Sequence, residues 1–310
     1  MSRLRLEPAE VAGEPCVRVV GGPLEPVILR TGGPRIIGLE RGGLNLFAVC
    51  PDAVLHAPGV PPLRLHGGHR LWEAPEVPAL TYRPDADPID VAVDGMTVVV
   101  SGPVDSTSGL RREIRLRLAP GREAIDVDHV VANHGSQSHR LAPWALTMLP
   151  LGGEALLPQA RPSHGGEAFQ PLRSLVLWPY TRLDDPRLKL GDDLIVLRAP
   201  ASPRTTPGGT GADLANPFKI GWPNARGWLA YRNRGTVFVK SAREKPGARY
   251  ADFGASAQSF VNNGWLELET LGPTVMLRPG ASTRHRERWL VADAPAGEPA
   301  DALARRLGLD

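Results

Sequence analysis

Two carboxylates, Glu267 and Glu269, stand at alternate positions of the segment 263–269. Acidic and apolar residues alternate there as they do in a β-strand, so Trp265 shares a face with both acids, while the two leucines between them take the other face. We expect this strand to be half buried, with its acidic face meeting water, a partner or a polar ligand. Acids beside an indole are typical of a carbohydrate site, and Glu267 is the outer partner of Glu269.

The alternative for Glu269 is a surface carboxylate paired with an arginine. The segment 283–291 is another alternating strand that follows a Pro-Gly turn, and it offers Arg284 or Arg286 as the partner. Ion pairs of this kind are frequent on exposed strands and contribute little to the stability of the fold.

A second group of candidates is the run His66-Gly-Gly-His69-Arg70. The glycine pair predicts a tight turn that directs His69 and Arg70 inward. We expect both, with His66 nearby, to donate hydrogen bonds to sugar hydroxyls. The alternative is a pair of metal ligands, but the sequence shows no third ligand motif near them. No metal and no cofactor are predicted.

Two lysines and three tryptophans complete the candidate set. Lys219 follows a long loop and could reach a ligand, or it could be a solvated lysine at a loop end. Lys240 faces opposite to its valine neighbours on an alternating strand and is expected to point inward. Trp72, Trp144 and Trp265 are either platforms for a sugar ring or core indoles.

These candidates must be positioned by strands, because 34 glycines and 32 prolines shorten any permissible helix. The dipeptide Asp94-Gly95 between two β-branched runs predicts a hairpin. A short helix is expected only at 300–308, and loops are expected at 199–217 and 161–167. We predict an all-β fold, a large antiparallel sandwich in one domain of residues 1–310. Further strands are predicted at 16–20, 89–94, 96–101, 110–118, 124–133, 194–198, 227–232 and 236–240.

Composition excludes several classes of protein. Charged residues are 22% and hydrophobic residues 42% of the chain, as in ordinary globular proteins. The net charge of +3 is not gathered into a basic block, so no nucleic acid partner is predicted. No segment has the apolar length of a membrane span or signal peptide, which favours a cytoplasmic location without a membrane partner. Cys16 and Cys50 are expected to be free and buried, or else to form a disulfide.

Several stretches, in this order along the chain, resemble the galactose-mutarotase-like superfamily, and most closely its bacterial branch known as the DUF4380 family. Glu269-Thr270 before the turn Leu277-Arg-Pro-Gly280 is similar to a pattern of aldose 1-epimerases. The other stretches are Gly32 to Phe47, Leu65 to Glu76, Val131 to Asn133 and Arg140 to Thr147.

The resemblance implies a supersandwich of two large sheets with a small-molecule sugar bound over one concave face. In the epimerases a glutamate takes the proton of the anomeric hydroxyl and a histidine protonates the ring oxygen. Glu269 matches the base. The histidine position is occupied by Trp144, whose indole is no acid for this step, so His66, His69 or His139 is the expected substitute.

Two functions follow as hypotheses. The first is an aldose 1-epimerase that acts through Glu269 and a histidine of the 66–70 loop. The second is a sugar-binding protein that keeps the cleft without the acid. A third, a polysaccharide lyase or hydrolase relative, requires a paired acid or a Tyr/His arrangement that the sequence does not display.

Overall fold

A computed structural model describes residues 3–162, 170–201 and 215–309 of the chain. Two large antiparallel sheets contain most of the strands in these ranges, which confirms the predicted all-β class. A small hairpin of two strands, β6 (Val49–Leu55) and β7 (Leu63–Gly67), stands apart from both.

The first sheet has the order β1-β2-β3-β4-β8-β13-β22-β21-β18-β15, with β5 paired to β4 and β23 to β13. Its strands are β1 (Arg5–Val11), β2 (Glu14–Val20), β3 (Glu25–Leu29), β4 (Arg35–Arg41), β5 (Leu44–Asn45), β8 (His69–Ala74), β13 (His139–Pro150), β15 (Val176–Leu177), β18 (Phe218–Trp222), β21 (Ala257–Val261), β22 (Trp265–Leu271) and β23 (Val275–Leu277).

The second sheet has the order β16-β17-β14-β19-β20-β24-β12-β11-β10-β9. Its strands are β9 (Asp90–Asp94), β10 (Thr97–Val104), β11 (Leu110–Leu118), β12 (Ala124–Asn133), β14 (Gly153–Pro158), β16 (Leu188–Leu190), β17 (Leu194–Ala199), β19 (Trp228–Asn233), β20 (Thr236–Ser241) and β24 (Ser282–Asp293).

The main core lies between the two sheets. Inward residues of the first sheet, such as Leu266 and Leu268, pack in one cluster with inward residues of the second, such as Ile114, Leu116 and Trp289. Alternation along each strand produces this layer, because every second side chain points to the same face.

A second apolar cluster covers the opposite face of the first sheet. Trp72, Trp144 and Trp265 belong to it, together with Leu63 and Leu65 of the β6–β7 hairpin. The hairpin therefore closes part of the face that β8, β13 and β22 turn away from the main core.

Three helices lie in the described ranges. The C-terminal helix is confirmed as α3 (Ala300–Arg306), and it packs on the outer face of the second sheet. The sequence did not predict two single turns, α1 (Pro78–Thr81) and α2 (Ala251–Gly254), which are too short to show a helical period. None of these helices has the length and apolar character of a membrane span.

The predicted hairpin, loops and cysteines are local features of the chain. The Asp94-Gly95 hairpin forms between β9 and β10, with Asp94 opposite Thr97. Most of the two predicted loops, residues 163–167 and 202–214, lies outside the described residues. Cys16 and Cys50 form no disulfide with each other; Cys16 is buried as expected, whereas Cys50 is only partly buried.

Removing an inward side chain tests the sandwich. Leu116 is fully buried in the main core, and we expect Leu116→Ala to lower the free energy of unfolding by about 2–5 kcal/mol because it leaves a cavity. Met276, which is 58% exposed on β23, is the matched control, and Met276→Ala should cost less than about 0.5 kcal/mol. Equal effects in urea unfolding would contradict the assigned core.

Candidate functional site

The β22 strand carries both candidate acids on one face, as its sequence predicts. Glu269 lies opposite Leu146 of β13 and Gln258 of β21, in the middle of the first sheet. The expectation that β22 is half buried is wrong, since all seven of its residues are buried. The acidic face does not meet water, because other polar and aromatic side chains enclose it.

The Glu269 carboxylate has two donors on one oxygen. Trp144 Nε1 donates to Oε2 at 2.8 Å, and Lys219 Nζ donates to the same oxygen at 2.9 Å. The other oxygen, Oε1, is buried and has no hydrogen-bond partner among the residues that the structure describes. Glu269 is therefore held through Oε2, while Oε1 can accept a proton or a hydrogen bond from a hydroxyl group.

Burial raises the pKa of Glu269 to about 7, although the Lys219 ammonium acts in the opposite direction. Burial also opposes the charge of Lys219, but the carboxylates of Glu269, Glu76 and Glu267 outweigh it and raise the lysine pKa. The site thus combines a stable cation with a carboxylate that changes charge near neutral pH.

Lys219 is not a solvated lysine, so that alternative is wrong. Its side chain is 5% exposed, and its ammonium lies 4.6 Å from the ring centre of Trp144 and 4.8 Å from that of Trp178. Two indole faces and one carboxylate compensate for the loss of water around the charge. The pairing of Glu269 with Arg284 or Arg286 is equally wrong.

Glu267 and Arg70 form a second buried ion pair beside the first. Arg70 Nη2 donates to Glu267 Oε1 at 3.0 Å, and Trp265 Nε1 donates to the same oxygen at 3.0 Å. The Arg70 guanidinium also lies 4.0 Å from the ring centre of Trp72. Arg70, Trp72, Trp144, Glu267 and Glu269 are therefore brought together with Lys219 on one face of the first sheet.

Sequence reasoning missed two aromatic residues on this face. Trp178 packs over Lys219, and Tyr180 interacts electrostatically with Glu269 and Glu267. Both residues follow the short strand β15, and Tyr180 lies in the turn at 179–180, where no alternation marks a side chain as inward or outward. Tyr180 is 41% exposed, so this side of the site adjoins solvent.

The structure separates the candidate histidines from Glu269. His69 points between the two sheets, opposite to its neighbour Arg70 on β8, because successive strand residues face opposite ways. His66 is half buried on β7 near Arg35, and burial lowers its pKa to about 4. His139 contacts the carbonyl of Ser108.

His69 belongs to a buried chain of hydrogen bonds. The Thr147 hydroxyl donates to His69 Nδ1 at 2.8 Å, His69 Nε2 donates to His129 Nε2 at 2.7 Å, and His129 Nδ1 donates to the His285 carbonyl at 3.3 Å. We assign the protons so that every ring nitrogen of the first two histidines has one partner.

Lys240 also lies between the sheets, away from Glu269. Its ammonium contacts Glu287 Oε1 at 3.0 Å and donates to the carbonyls of Ala145 and Leu268 at 3.1 Å. Lys240 points inward as predicted. It contacts the backbone of β13 and β22 on the face of the first sheet that is opposite to Glu269.

One group of described residues has the composition of a metal site. Ligand atoms of His69, His129 and Glu287 lie within 4.8 Å of one another. Protein donors already engage all three, since Lys240 and Trp289 donate to Glu287. An ammonium at 3.0 Å repels a cation, so these residues fit a closed structural network better than a metal centre.

Comparisons with solved structures support the fold. An aldose 1-epimerase candidate from Klebsiella pneumoniae superimposes with a TM-score of 0.62 at 11% identity, over 99% of this chain and 86% of that one. A galactose mutarotase-like protein from Lactobacillus casei gives 0.53 at 12% identity, over 89% and 100%. A TPR-domain protein from Parabacteroides distasonis gives 0.56 at 13% identity, and this chain spans 93% of its own length but half of that protein.

No family model and no curated protein sequence matches the chain. At these identities the structural likeness establishes a galactose mutarotase-like fold. Chemistry must be argued from the residues that the fold brings together.

The ion pair behind β22 can be tested by substitution. We expect Lys240→Met to lower the free energy of unfolding by about 3–5 kcal/mol, because Glu287 would remain buried without its cation. The double variant Lys240→Met/Glu287→Gln should recover part of the loss in urea unfolding. A single variant as stable as the wild type would contradict the network.

Stability should also fall between pH 7 and pH 5. Burial lowers the pKa of His69 and His129, and that of His285 to about 3. Their folded pKa values lie below the unfolded value of about 6.5, so the stability they contribute is present above that pH and lost as pH falls.

Glu269 acts in the opposite direction over the same pH window. Its folded pKa of about 7 exceeds the unfolded value of about 4.3, so Glu269 releases a proton on unfolding. The three histidines bind protons on unfolding, and Glu269 therefore offsets about one of their three protons. The free energy of unfolding should fall by roughly 1–2 kcal/mol per pH unit, averaged from pH 7 to pH 5. Urea unfolding at several pH values measures it, and an unchanged free energy would contradict the buried neutral histidines.

Proposed function

We propose that the protein recognises a monosaccharide on the enclosed face of the first sheet and that it acts as an aldose 1-epimerase with Glu269 as general base. The mutarotase-like fold supports a sugar ligand, and the cluster of acids, cations and indoles supports this place for it. Assignment to the DUF4380 branch stays a prediction.

The observation that carries the proposal is the asymmetric Glu269 carboxylate. Oε2 is fixed by Trp144 and Lys219, while Oε1 is buried and, within residues 3–162, 170–201 and 215–309, has no hydrogen-bond partner. A general base works best when its pKa lies near the working pH, and the pKa of Glu269 is raised to about 7 by burial. Oε1 would take the proton of the anomeric hydroxyl.

Lys219 takes the place of the expected histidine in this proposal: its ammonium donates a hydrogen bond to the ring oxygen and gives up its proton as ring opening turns that oxygen into an alkoxide, which is more basic than an amine. His69 lies between the sheets, whereas the Lys219 ammonium already contacts Glu269 at 2.9 Å. The anomeric and ring oxygens of a sugar are bonded to the same carbon, so a neighbouring carboxylate and ammonium can serve both. Trp144 keeps the carboxylate in position instead of supplying a proton.

A sugar reaches Glu269 in this proposal from the side of Trp178 and Tyr180. Glu269 is fully buried, but Tyr180 is 41% exposed and Trp178 packs on Lys219. Movement of these two aromatic side chains would expose the ion pair. The same rings would then be available to stack on the sugar.

The second candidate is a binding protein that does not interconvert anomers. One observation favours it: Lys219 already neutralises Glu269, and among the described residues no imidazole contacts that carboxylate. In this case the same residues would bind sugar hydroxyls without proton transfer.

Polarimetry separates the two candidates. We expect the wild type to accelerate the change in optical rotation of freshly dissolved α-glucose or α-galactose, with kcat/KM rising as pH increases through about 7, since the ionised carboxylate is the base. Glu269→Gln should lower kcat by roughly 100-fold or more, because it removes the proton acceptor.

Glu10→Gln is the matched control, since Glu10 is an exposed carboxylate on β1, and it should leave the rate unchanged. Calorimetric titration with the same sugars supplies the second readout. Binding without acceleration supports the binding protein. Neither binding nor acceleration, in a folded wild type, contradicts both candidates.

A further inference from the structure

The outer face of the second sheet carries a large groove that is separate from Glu269. Its volume is about 1080 Å³. We call it the arginine groove, and its charged lining residues are Arg115, Arg117, Asp126, Asp128, Arg243, Glu244, Lys245, Arg284, Arg286, Glu287 and Arg288. We infer that the arginine groove binds an acidic oligosaccharide.

Strand alternation produces the basic floor. On β24 the side chains of Arg284, Arg286 and Arg288 are 49%, 73% and 53% exposed, whereas His285 and Glu287 between them are buried. Three guanidinium groups therefore leave the same face of one strand. Their Cα atoms repeat at about 6.8 Å, which is two residues of an antiparallel strand.

Neighbouring strands extend this floor in rows. Arg117, Asp126 and Arg288 lie side by side on β11, β12 and β24. Two residues along each strand, Arg115 and Arg286 are the neighbours of Asp128 on β11 and β24. Asp126 accepts from Arg117 and Arg288, both at 3.2 Å. Asp128 accepts from Arg284 at 3.3 Å and from Arg286 at 3.1 Å, while Arg115 pairs with Glu113. Each aspartate is therefore paired with two arginines, which keeps one positive charge in excess.

The cations of the groove outnumber its acids. Seven arginine and lysine side chains face four carboxylates, and one of these, Glu287, is already paired with Lys240 between the sheets. Arg243 and Lys245 add exposed positive charge on the loop after β20. Exposed ion pairs contribute little to stability, so the repeated arginines are better explained by an anionic ligand than by folding.

The acids identify the kind of anion. Asp126 and Asp128 occupy the centre of both rows, where they would repel a chain of phosphates but accept hydrogen bonds from hydroxyl groups. An acidic oligosaccharide offers both a carboxylate or sulfate for arginine and hydroxyls for aspartate. Among the described residues that line the groove, Tyr250 is the one tyrosine, phenylalanine or tryptophan, and a single such ring provides little stacking for the bases of a nucleic acid.

Binding can be measured on the full chain by fluorescence anisotropy at low salt. The probes are labelled hexasaccharides, one of galacturonic acid and one derived from heparin, with maltohexaose as the neutral probe and oligothymidylate as the nucleic acid. We expect at least one acidic hexasaccharide to bind, maltohexaose not to bind, and affinity to fall with added salt.

Three variants separate this site from a general charge effect. Arg286→Gln/Arg288→Gln should weaken binding about tenfold. Asp128→Asn should strengthen it about threefold, since it removes a repelling charge and keeps an acceptor; a merely misfolded variant would not bind more tightly. Arg140→Gln, which alters an exposed arginine of β13 outside the groove, should have no effect.

Three results would overturn the inference. They are no binding of either acidic hexasaccharide, an unchanged affinity in the Arg286→Gln/Arg288→Gln variant, and tighter binding of oligothymidylate than of both acidic sugars. Polarimetry of the same double variant should match the wild type, which keeps this outcome independent of the Glu269 proposal.

Discussion

The buried ion pair of Glu269 and Lys219 is the interaction on which the functional interpretation depends. Isolated burial of either charge would be costly, so the two side chains must meet where the first sheet turns away from the main core. The ammonium lies against two indole faces, and a second hydrogen bond to the same carboxylate oxygen comes from Trp144. The other carboxylate oxygen is buried and has no donor in the described part of the chain, and burial raises the pKa of this carboxylate to about 7.

A second set of charges supports these residues from the other side of the same strands. Lys240 donates to the carbonyls of Ala145 and Leu268. These two residues are the sequence neighbours of Trp144 and Glu269. Its charge is balanced by Glu287, itself held by Trp289. Such a fully paired network fixes backbone positions more strictly than apolar packing does, so the geometry around Glu269 is set partly from within the core.

Alternation was enough to predict the strands and their faces, but not their neighbours. The bounds of β11 and β12 and the shared face of Trp265, Glu267 and Glu269 follow from period-two patterns. The same rule separates His69 from Arg70, because adjacent strand residues cannot share a face. Lys219 could not be assigned to Glu269 in this way, since strand order across a sheet depends on contacts between residues 50 positions apart.

A crystal structure of the protein soaked with galactose would show directly whether a sugar binds at Glu269. We expect a sugar hydroxyl within hydrogen-bond distance of Glu269 Oε1, with Trp178 or Tyr180 displaced to admit the sugar ring. A sugar bound elsewhere while the Glu269 and Lys219 pair stays closed would contradict it.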